Sequence, residues 1–291
     1  MASLLDMRRR IKSVKNTQQI TKAMKMVAAA KLKRAQDRVT AGRPYAKKMS
    51  AVLGNLSSKV AEEFSHPLLT PRGDEKYLIV LVTADKGLAG AFNANVIKAT
   101  QAFIRENESK SVEMLPVGRK GRDFFKRRSI TFQAEYIGLT GTGSANYSDA
   151  AEIGANVINA FTEDETLHKV FLVYTEFKTV LSQKPVIEQL LPSPSIKQEE
   201  AEEGGLQAEY IYEQPPAEIF ERLLPKQVVT QIYRAMLEWV ASEEGSRMTA
   251  MDSASKNAGE LIDSLTLNMN RIRQAAITKE IIEVVSGAAA L

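Results

Sequence analysis

Residues 251–276 read MDSASKNAGELIDSLTLNMNRIRQAA, and this stretch decides the fold. Along it, small and apolar residues recur at spacings that alternate between four and three: Met251, Ser255, Ala258, Ile262, Leu265, Met269, Ile272 and Ala276. A repeat of about 3.5 residues, sustained in this way, predicts one helix of a left-handed coiled coil.

The stretch lies within a longer helical segment. Residues 226–291 contain no proline, and their glycines are Gly245, Gly259 and Gly287. At about 1.5 Å per residue such a helix could span roughly 90 Å. Because an isolated helix cannot bury its apolar stripe, this one needs a partner.

The N-terminal arm is the partner that the chain itself offers. Residues 1–41 contain neither glycine nor proline, and Gly42-Arg43-Pro44 predicts a bend or kink. Ile20, Met24 and Val27 have the spacing of a coiled-coil seam. Around that seam the interior positions are expected to be small or polar: Thr17, Thr21, Ala28 and Ala30. A globular insertion separates the two arms, so the simplest pairing of the arms is antiparallel.

An α/β module is predicted between the arms. Residues 77–83, YLIVLVT, form a continuous apolar run typical of a strand buried on both faces. The other predicted elements are a helix at 91–107, a strand at 112–117, a helix at 121–128, a strand at 130–136, a helix at 147–163 capped by Asn146 or Ser148, and strands at 169–177 and 179–190. This alternation predicts a mostly parallel sheet with helices on its faces.

The predicted fold class is α/β plus a long antiparallel coiled coil formed by the N- and C-terminal helices, with a Rossmann-like α/β module inserted between them. The segment before the last helix is rich in proline, contains the acidic run Glu199–Glu203, and could hold a short strand at 209–212. The predicted division is therefore a helix at 1–60, the module at 75–191, a linker at 192–216 and a helix at 217–291.

Charge is distributed unevenly along the chain. The net charge is +4, yet residues 1–48 hold fourteen Lys and Arg against Asp6 and Asp37, a net of +12, which leaves −8 on the remainder. Such a basic arm predicts an anionic partner, which could be a nucleic acid, a membrane surface or an acidic patch on a protein.

Several classes of function find no support in the residues. The chain has no cysteine, which excludes disulfides, thiolate metal sites and thiol catalysis. It has no apolar run of transmembrane length, and its basic start is not that of a secretory signal. The turn Asp85–Gly90 lacks the spacing of a phosphate-binding loop, and His66 and His168 lack the spacing of metal ligands. We expect no catalytic site, no metal and no cofactor.

Four segments carry a resemblance to a known family. They are RRIKSVKNTQQITKAMKMVAAAKLKRAQ at 9–36, TADKGLAGAFNANV at 83–96, SRMTAMDSASKNAGELI at 246–262 and AAITKEIIEVVSGAAAL at 275–291. In this order they resemble the gamma subunit of the bacterial F-type ATP synthase over essentially the whole chain. The resemblance implies a rotor shaft that couples ion-driven rotation to ATP synthesis or hydrolysis, with no catalytic site of its own.

The resemblance also implies partners and contact residues. The expected partners are the alpha and beta subunits of the catalytic hexamer, the epsilon subunit and the c-subunit ring, on the cytoplasmic face of the bacterial inner membrane. Residues that match the family's coupling contacts are Met24, Arg247, Arg273, Gln274, Thr278, Glu280 and Glu283. Residues that match its c-ring contact are Tyr210, Tyr212 and Glu213.

Two other functions remain open at this point. A nucleic-acid-binding coiled-coil protein could lay the basic arm along phosphates. A small-molecule enzyme could instead use the α/β module.

Overall fold

Two long helices open and close the chain. The structure is a computed structural model that describes residues 4–59, 66–139, 145–193 and 213–289; α1 spans Leu4–Lys59 and α5 spans Pro216–Ala289. The elements between them are β1 (Lys76–Val82), α2 (Phe92–Glu106), β2 (Ser111–Val117), α3 (Arg119–Lys126), β3 (Thr131–Phe132), α4 (Tyr147–Glu163), β4 (Lys169–Phe177) and β5 (Gln183–Leu191). The predicted strand at 209–212 and the acidic run Glu199–Glu203 lie outside the described residues, and the four-part division of the chain stays a prediction.

The helix α1 continues through the turn where a bend was predicted. Pro44 lies inside the helix, with helical residues on both sides. Arg43, in the same turn, pairs with Glu238 of α5 at 3.2 Å, which ties this turn of α1 to its neighbour.

The five strands of the described residues form one sheet in the order β3-β2-β1-β4-β5. β1 pairs in parallel with β2 and β4, and β5 pairs antiparallel with β4. Residues 77–82 of β1 are all buried, as the apolar run predicted. The mostly parallel sheet is therefore confirmed, with β5 as the antiparallel strand.

Two predicted strands are shorter than expected. At 130–136 only Thr131 and Phe132 form β3, with an isolated bridge at Tyr136, and no residue of the segment is buried. Gln133 and Glu135 have no apolar side chain to bury, so β3 pairs with β2 over only two residues. The strand predicted to begin at 179 begins at Gln183, because the four residues before it make the turn of a hairpin.

The sheet is covered on both faces. Ile79 and Leu81 pack on one face with Val96 of α2 and Phe125 of α3. Side chains alternate along a strand, so the neighbouring residues of β1 point to the opposite face. The helices α4 and α5 cover that face and approach each other closely. A Cβ at Gly154 of α4 would lie 2.7 Å from the side chain of Val229 of α5.

The part of α5 that passes the sheet is buried on all sides. Residues 235–246 are all buried, although they include three glutamates. Glu238 accepts a hydrogen bond from the N–H of Phe177 in β4 at 3.1 Å and pairs with Arg43 of α1. Ser242 donates to the carbonyl oxygen of Thr175 at 3.1 Å. A helix between a second helix and a sheet needs such partners because buried charges are costly when unpaired.

The chain divides into two compact units, Ala30–Ser246 and Met1–Ala29 with Arg247–Leu291. In the second of these, the coiled-coil unit, the two helices run antiparallel. Lys25 pairs with Asp252 at 2.6 Å, and Gln18 donates to the carbonyl oxygen of Ser255 at 3.2 Å. Lower numbers on α1 thus meet higher numbers on α5, which confirms the predicted antiparallel pairing.

The C-terminal seam is confirmed residue by residue. Met251 and Ser255 are buried, and the six later seam residues are all half-buried: Ala258, Ile262, Leu265, Met269, Ile272 and Ala276. Among the residues between them, Leu261 and Leu267 are exposed although they are apolar.

The N-terminal seam was predicted on the wrong face of α1. Ile20 and Val27 are 59% and 57% exposed, and Met24 is only half-buried. The buried or half-buried residues instead follow an adjacent row that alternates four and three throughout: Met7, Ile11, Val14, Gln18, Thr21, Lys25, Ala28, Leu32, Ala35 and Val39. Small and polar side chains occupy this row at Gln18, Thr21 and Lys25, because the facing α5 carries Ser255 and Gly259 there and the helices are bridged by hydrogen bonds.

Acid should weaken the α/β module partly through Asp164. Its carboxylate accepts hydrogen bonds from Lys76 at 2.8 Å and from Thr166, and these lower the pKa of Asp164 from 3.8 to about 2. A carboxylate with a depressed folded-state pKa stabilises the fold above the unfolded-state value, and this contribution disappears as pH falls through about 2. We expect Asp164→Asn to flatten the dependence of unfolding free energy on pH between these two values.

The fluorescence of Trp239, the only tryptophan, reports unfolding of this unit in urea at each pH. Glu165→Gln removes the adjacent exposed carboxylate as a control. If both variants retain the wild-type pH dependence, Asp164 does not make the contribution assigned to it.

Candidate functional site

The outer surface of the coiled-coil unit carries apolar side chains that the chain does not cover. On α1 they include Leu5 and a group of three, Ile20, Met26 and Val27, exposed by 57 to 73%; we call these three the outer apolar patch. Met24, the predicted contact residue, lies half-buried next to this patch. Burying an apolar side chain of this size is worth about 1.5–3 kcal/mol, so the patch favours a partner that removes it from water.

A second exposed apolar surface lies at the end of α5. Among the residues whose burial the structure describes, Ala276 is the last half-buried one, and residues 277–288 are all exposed. Within them lie five β-branched side chains, which we call the apolar tip: Ile277, Ile281, Ile282, Val284 and Val285. An amphipathic helix normally hides such residues, so the apolar tip favours a partner that removes it from water.

The predicted polar contact residues fall into two groups: those on the last turns of α5 are exposed, and Arg247 is half-buried. Arg273, Gln274, Thr278, Glu280 and Glu283 lie on the last turns of α5. Thr278 donates to the carbonyl oxygen of Gln274 at 2.9 Å, and Glu283 pairs with Lys279 at 3.4 Å.

The other group lies near the start of the coiled-coil unit. Met24 neighbours Lys25, which pairs with Asp252, and Arg247 lies five residues before Asp252 on α5. Arg247 and Arg273 are separated by roughly 40 Å along α5 at 1.5 Å per residue. The structure therefore does not gather the predicted residues into one site but places them at two levels of one coil.

The basic arm is mostly free of internal charge pairing. Lys25 is neutralised by Asp252, whose pKa is lowered chiefly by the hydrogen bond from Lys25. Six basic residues lie nearer the N-terminus than Lys25, and none of them makes an ion pair with another described residue: Arg8, Arg9, Arg10, Lys12, Lys15 and Lys22. This part of α1 therefore presents uncompensated positive charge to its surroundings.

The loop after β1 is a tight turn. The backbone N–H of Arg119 donates to the Asp85 carboxylate at 2.9 Å, and that of Ala84 donates to the side-chain oxygen of Asn93 at 3.0 Å. Leu88 has a φ of 63° and is exposed. The turn is thus braced by its own side chains in the place where a nucleotide-binding module would bind phosphate.

Neither histidine is arranged as a metal ligand. His168 accepts hydrogen bonds at Nδ1 from the N–H groups of Glu75 and Lys76, at 2.9 and 3.1 Å. Burial lowers the pKa of His66, whose Nδ1 accepts from the N–H of Leu68 at 3.1 Å. In the part of the chain that the structure describes, no group of three or more potential ligands could hold a metal ion.

The remaining predicted contact lies before α5. Glu213 is exposed, whereas Tyr210 and Tyr212 lie outside the described residues. None of the described helices is long and apolar enough to cross a bilayer.

Comparison with known proteins identifies the family. A family model described as ATP synthase matches residues 3–291. The ATP synthase gamma chain of Solibacter usitatus is 52% identical over 293 residues, covering 100% of this chain and 99% of the relative. That of Heliobacterium modesticaldum is 50% identical and covers 100% of both chains. The chain belongs to the ATP synthase gamma chain family.

Solved structures agree with this assignment. The central stalk and c-ring structure of the Tetrahymena thermophila mitochondrial ATP synthase contains a chain of 27% identity and TM-score 0.60, matched over 81% of this chain and 99% of that one. A chain in the Euglena gracilis OSCP/F1/c-ring structure, 18% identical, has the same fold with a TM-score of 0.68 over 99% of this chain. A gamma chain is the central rotor shaft of ATP synthase and a non-catalytic subunit of the complex.

For a gamma chain, sequence reasoning missed the apolar tip. Within segment 275–291 the sequence analysis singles out only polar contact residues, Thr278, Glu280 and Glu283. The signal that was available is the spacing of Ile277, Ile281, Val284 and Val285, which continues past the last residue that α1 can cover.

Proposed function

We propose that this gamma chain couples ion-driven rotation of a c-subunit ring to ATP synthesis or hydrolysis by turning its coiled coil inside a hexamer of alpha and beta subunits. The observation that carries the proposal is the apolar tip, because five β-branched side chains are left exposed at the end of α5. An apolar sleeve around the tip would remove them from water without fixing the rotational position of the helix.

The internal seam of the coil supports a slender shaft. Thr21, Ala28, Ser255 and Gly259 lie in the interface, and a Cβ at Gly259 would lie 3.1 Å from the Gln18 amide. Small interface residues let two helices approach closely. The larger apolar residues Ile20 and Val27 are then left for the surrounding subunits.

The contact residues have separate roles in this proposal. Met24 and Arg247, at one level of the coil, face the beta subunits at the point where they couple their movement to the shaft. The polar residues near the tip contact beta-subunit loops: Arg273, Gln274, Thr278, Glu280 and Glu283. Uncompensated charge on the basic arm favours acidic loops on the partner.

The other partners are proposed from the resemblance. Glu213, with Tyr210 and Tyr212, contacts the polar loops of the c ring, and the epsilon subunit binds beside the α/β module. In this proposal the chain lies peripherally on the cytoplasmic face of the bacterial inner membrane.

Reconstitution tests the proposal. The full chain is mixed with alpha and beta subunits from the same source, and assembly is measured by size-exclusion chromatography and ATP hydrolysis. We expect a stable complex with one gamma chain per hexamer that hydrolyses ATP. Failure to assemble, together with salt-sensitive binding of the free chain to DNA, would favour the nucleic-acid-binding function instead.

A further inference from the structure

A basic groove lies on the face of the sheet that α2 and α3 cover. It has a volume of about 800 Å³ and runs between the two helices. Its floor is apolar and includes Ile97 of α2 and Phe124 of α3. The residues assigned above to coupling or to the c ring are not among those that line it.

The edges of the groove carry four cations and one carboxylate. Lys98 and Arg105 lie on α2, and Lys120 and Arg127 lie on or just after α3; all four are exposed. The carboxylate is Asp123, which Arg122 already holds at 2.7 Å.

These four cations are unpaired among the residues that the structure describes. Within the described ranges none of them makes an ion pair, whereas other basic residues of the same unit, such as Lys76 and Arg234, are paired at 2.5–2.9 Å. Four like charges around one groove repel each other, and an anionic occupant would relieve that repulsion.

The shape of the groove selects the kind of occupant. It is concave and follows α2 from Asn93 to Arg105, roughly 18 Å at 1.5 Å per residue, which is the length of about three helical turns. An apolar floor between charged rims matches an amphipathic helix laid in a groove, with apolar residues at i, i+3, i+4 and i+7. A flat membrane surface would not reach the floor.

We infer that the groove between α2 and α3 binds an acidic amphipathic helix of a partner protein, with its apolar stripe on Ile97 and Phe124 and its carboxylates on Lys98, Arg105, Lys120 and Arg127. This inference is independent of the rotor function, because the groove lies in the α/β module and not on the coiled coil.

Peptide binding to the full chain tests the inference. The probe is a fluorescein-labelled 15-residue helix with leucine at i, i+3, i+4, i+7 and i+11 and with glutamate predominating elsewhere; a scrambled peptide of the same composition is the comparison. We expect anisotropy to show binding of the amphipathic peptide at least about tenfold tighter than the scrambled one. We also expect hydrogen-exchange protection in residues 93–105 and 119–127.

A matched pair of charge reversals locates the site. Lys120→Glu with Arg127→Glu should weaken binding by at least about tenfold, since two charge pairs become repulsions. Lys184→Glu with Lys226→Glu makes the same change in net charge at exposed positions outside the groove and should change binding less than about twofold.

Other results would overturn the inference. Equal loss in both double variants would mean nonspecific attraction to a basic protein. No preference over the scrambled peptide would mean that the groove does not recognise a helix. Tighter binding of ATP, a single-stranded oligonucleotide or anionic phospholipid vesicles, abolished by the groove variant, would assign the groove to that ligand instead.

Discussion

Replacing Gly118 with alanine is expected to unfold the α/β module or to destabilise it by about 4 kcal/mol or more. Gly118 precedes α3 with a φ of 102°, a conformation that side chains rarely adopt. An added Cβ would also lie 2.0 Å from the carbonyl oxygen of Thr83, at the end of β1. Thr83 cannot move away easily, because its backbone N–H donates to the carbonyl oxygen of Val117 and its hydroxyl accepts from the N–H of Gly121.

Gly138→Ala separates the cost of the strained φ from the cost of the steric clash. Gly138 has a similar φ of 87°, but nothing lies within 4 Å of its Cβ position. We expect this control to cost only the conformational strain, about 1–2 kcal/mol. Urea unfolding followed by Trp239 fluorescence measures both variants. If Gly118→Ala were no worse than Gly138→Ala, the close packing of β1 against the start of α3 would be wrong.

Placing charges in the apolar tip is expected to prevent assembly while leaving the free chain stable. Ile281 and Val285 are 57% and 62% exposed, so Ile281→Asp with Val285→Asp should change the unfolding free energy of the chain by only about 0.5 kcal/mol. Burying two carboxylates in an apolar sleeve should cost several kcal/mol. We expect affinity for the alpha–beta hexamer to fall by about 100-fold or more.

Leu181→Asp is the matched control for the tip. Leu181 is 87% exposed on the β4–β5 hairpin, so this variant places one aspartate at an exposed apolar position outside the coiled coil. Pull-down and ATP hydrolysis of the reconstituted complex measure assembly, and urea unfolding measures the free chain. Normal assembly by the tip variant would show that the tip is not enclosed by the hexamer.

The two seams show what periodicity can and cannot predict. On α5 the predicted seam is correct because large apolar residues recur there at regular spacings, as Ile262, Leu265, Met269 and Ile272 do. On α1 the largest regular residues, Ile20 and Val27, lie outside. The row that faces α5 there includes Gln18 and Thr21, which scales of hydrophobicity place on the surface.

The misplaced seam has a physical explanation. A slender coil needs small or polar residues between its helices, and a partner surface needs apolar residues outside. α1 meets both needs at once. Over residues 18–27, the polar side chains of Gln18, Thr21 and Lys25 are therefore buried or half-buried while most of the large apolar side chains are exposed, the reverse of the usual distribution. Periodicity alone has no means of choosing between two adjacent rows when both alternate four and three.

The elements of the α/β module could be predicted because burial of apolar residues determines where its central strands lie. β1 is a continuous apolar run after Lys76 and β4 has an apolar centre, and the predicted bounds of α4 and β4 coincide with those observed. β3 was overestimated because an edge strand buries little and its length depends on its neighbour. The contact residues of the coil depend on subunits outside the chain, so neither the sequence nor the fold of one chain ranks them.

Rotation of the coil as a single body is the central claim, and a pair of cross-links tests it most directly. The chain has no cysteine, so Gln18→Cys with Gly259→Cys allows a short bismaleimide to join the two helices where they approach closely. In a reconstituted complex this link should leave ATP hydrolysis within about twofold of the unlinked value, because both helices turn together. A link from Val27→Cys to the surrounding hexamer should instead stop turnover. Loss of hydrolysis with the internal link, or full activity with the external one, would contradict the account.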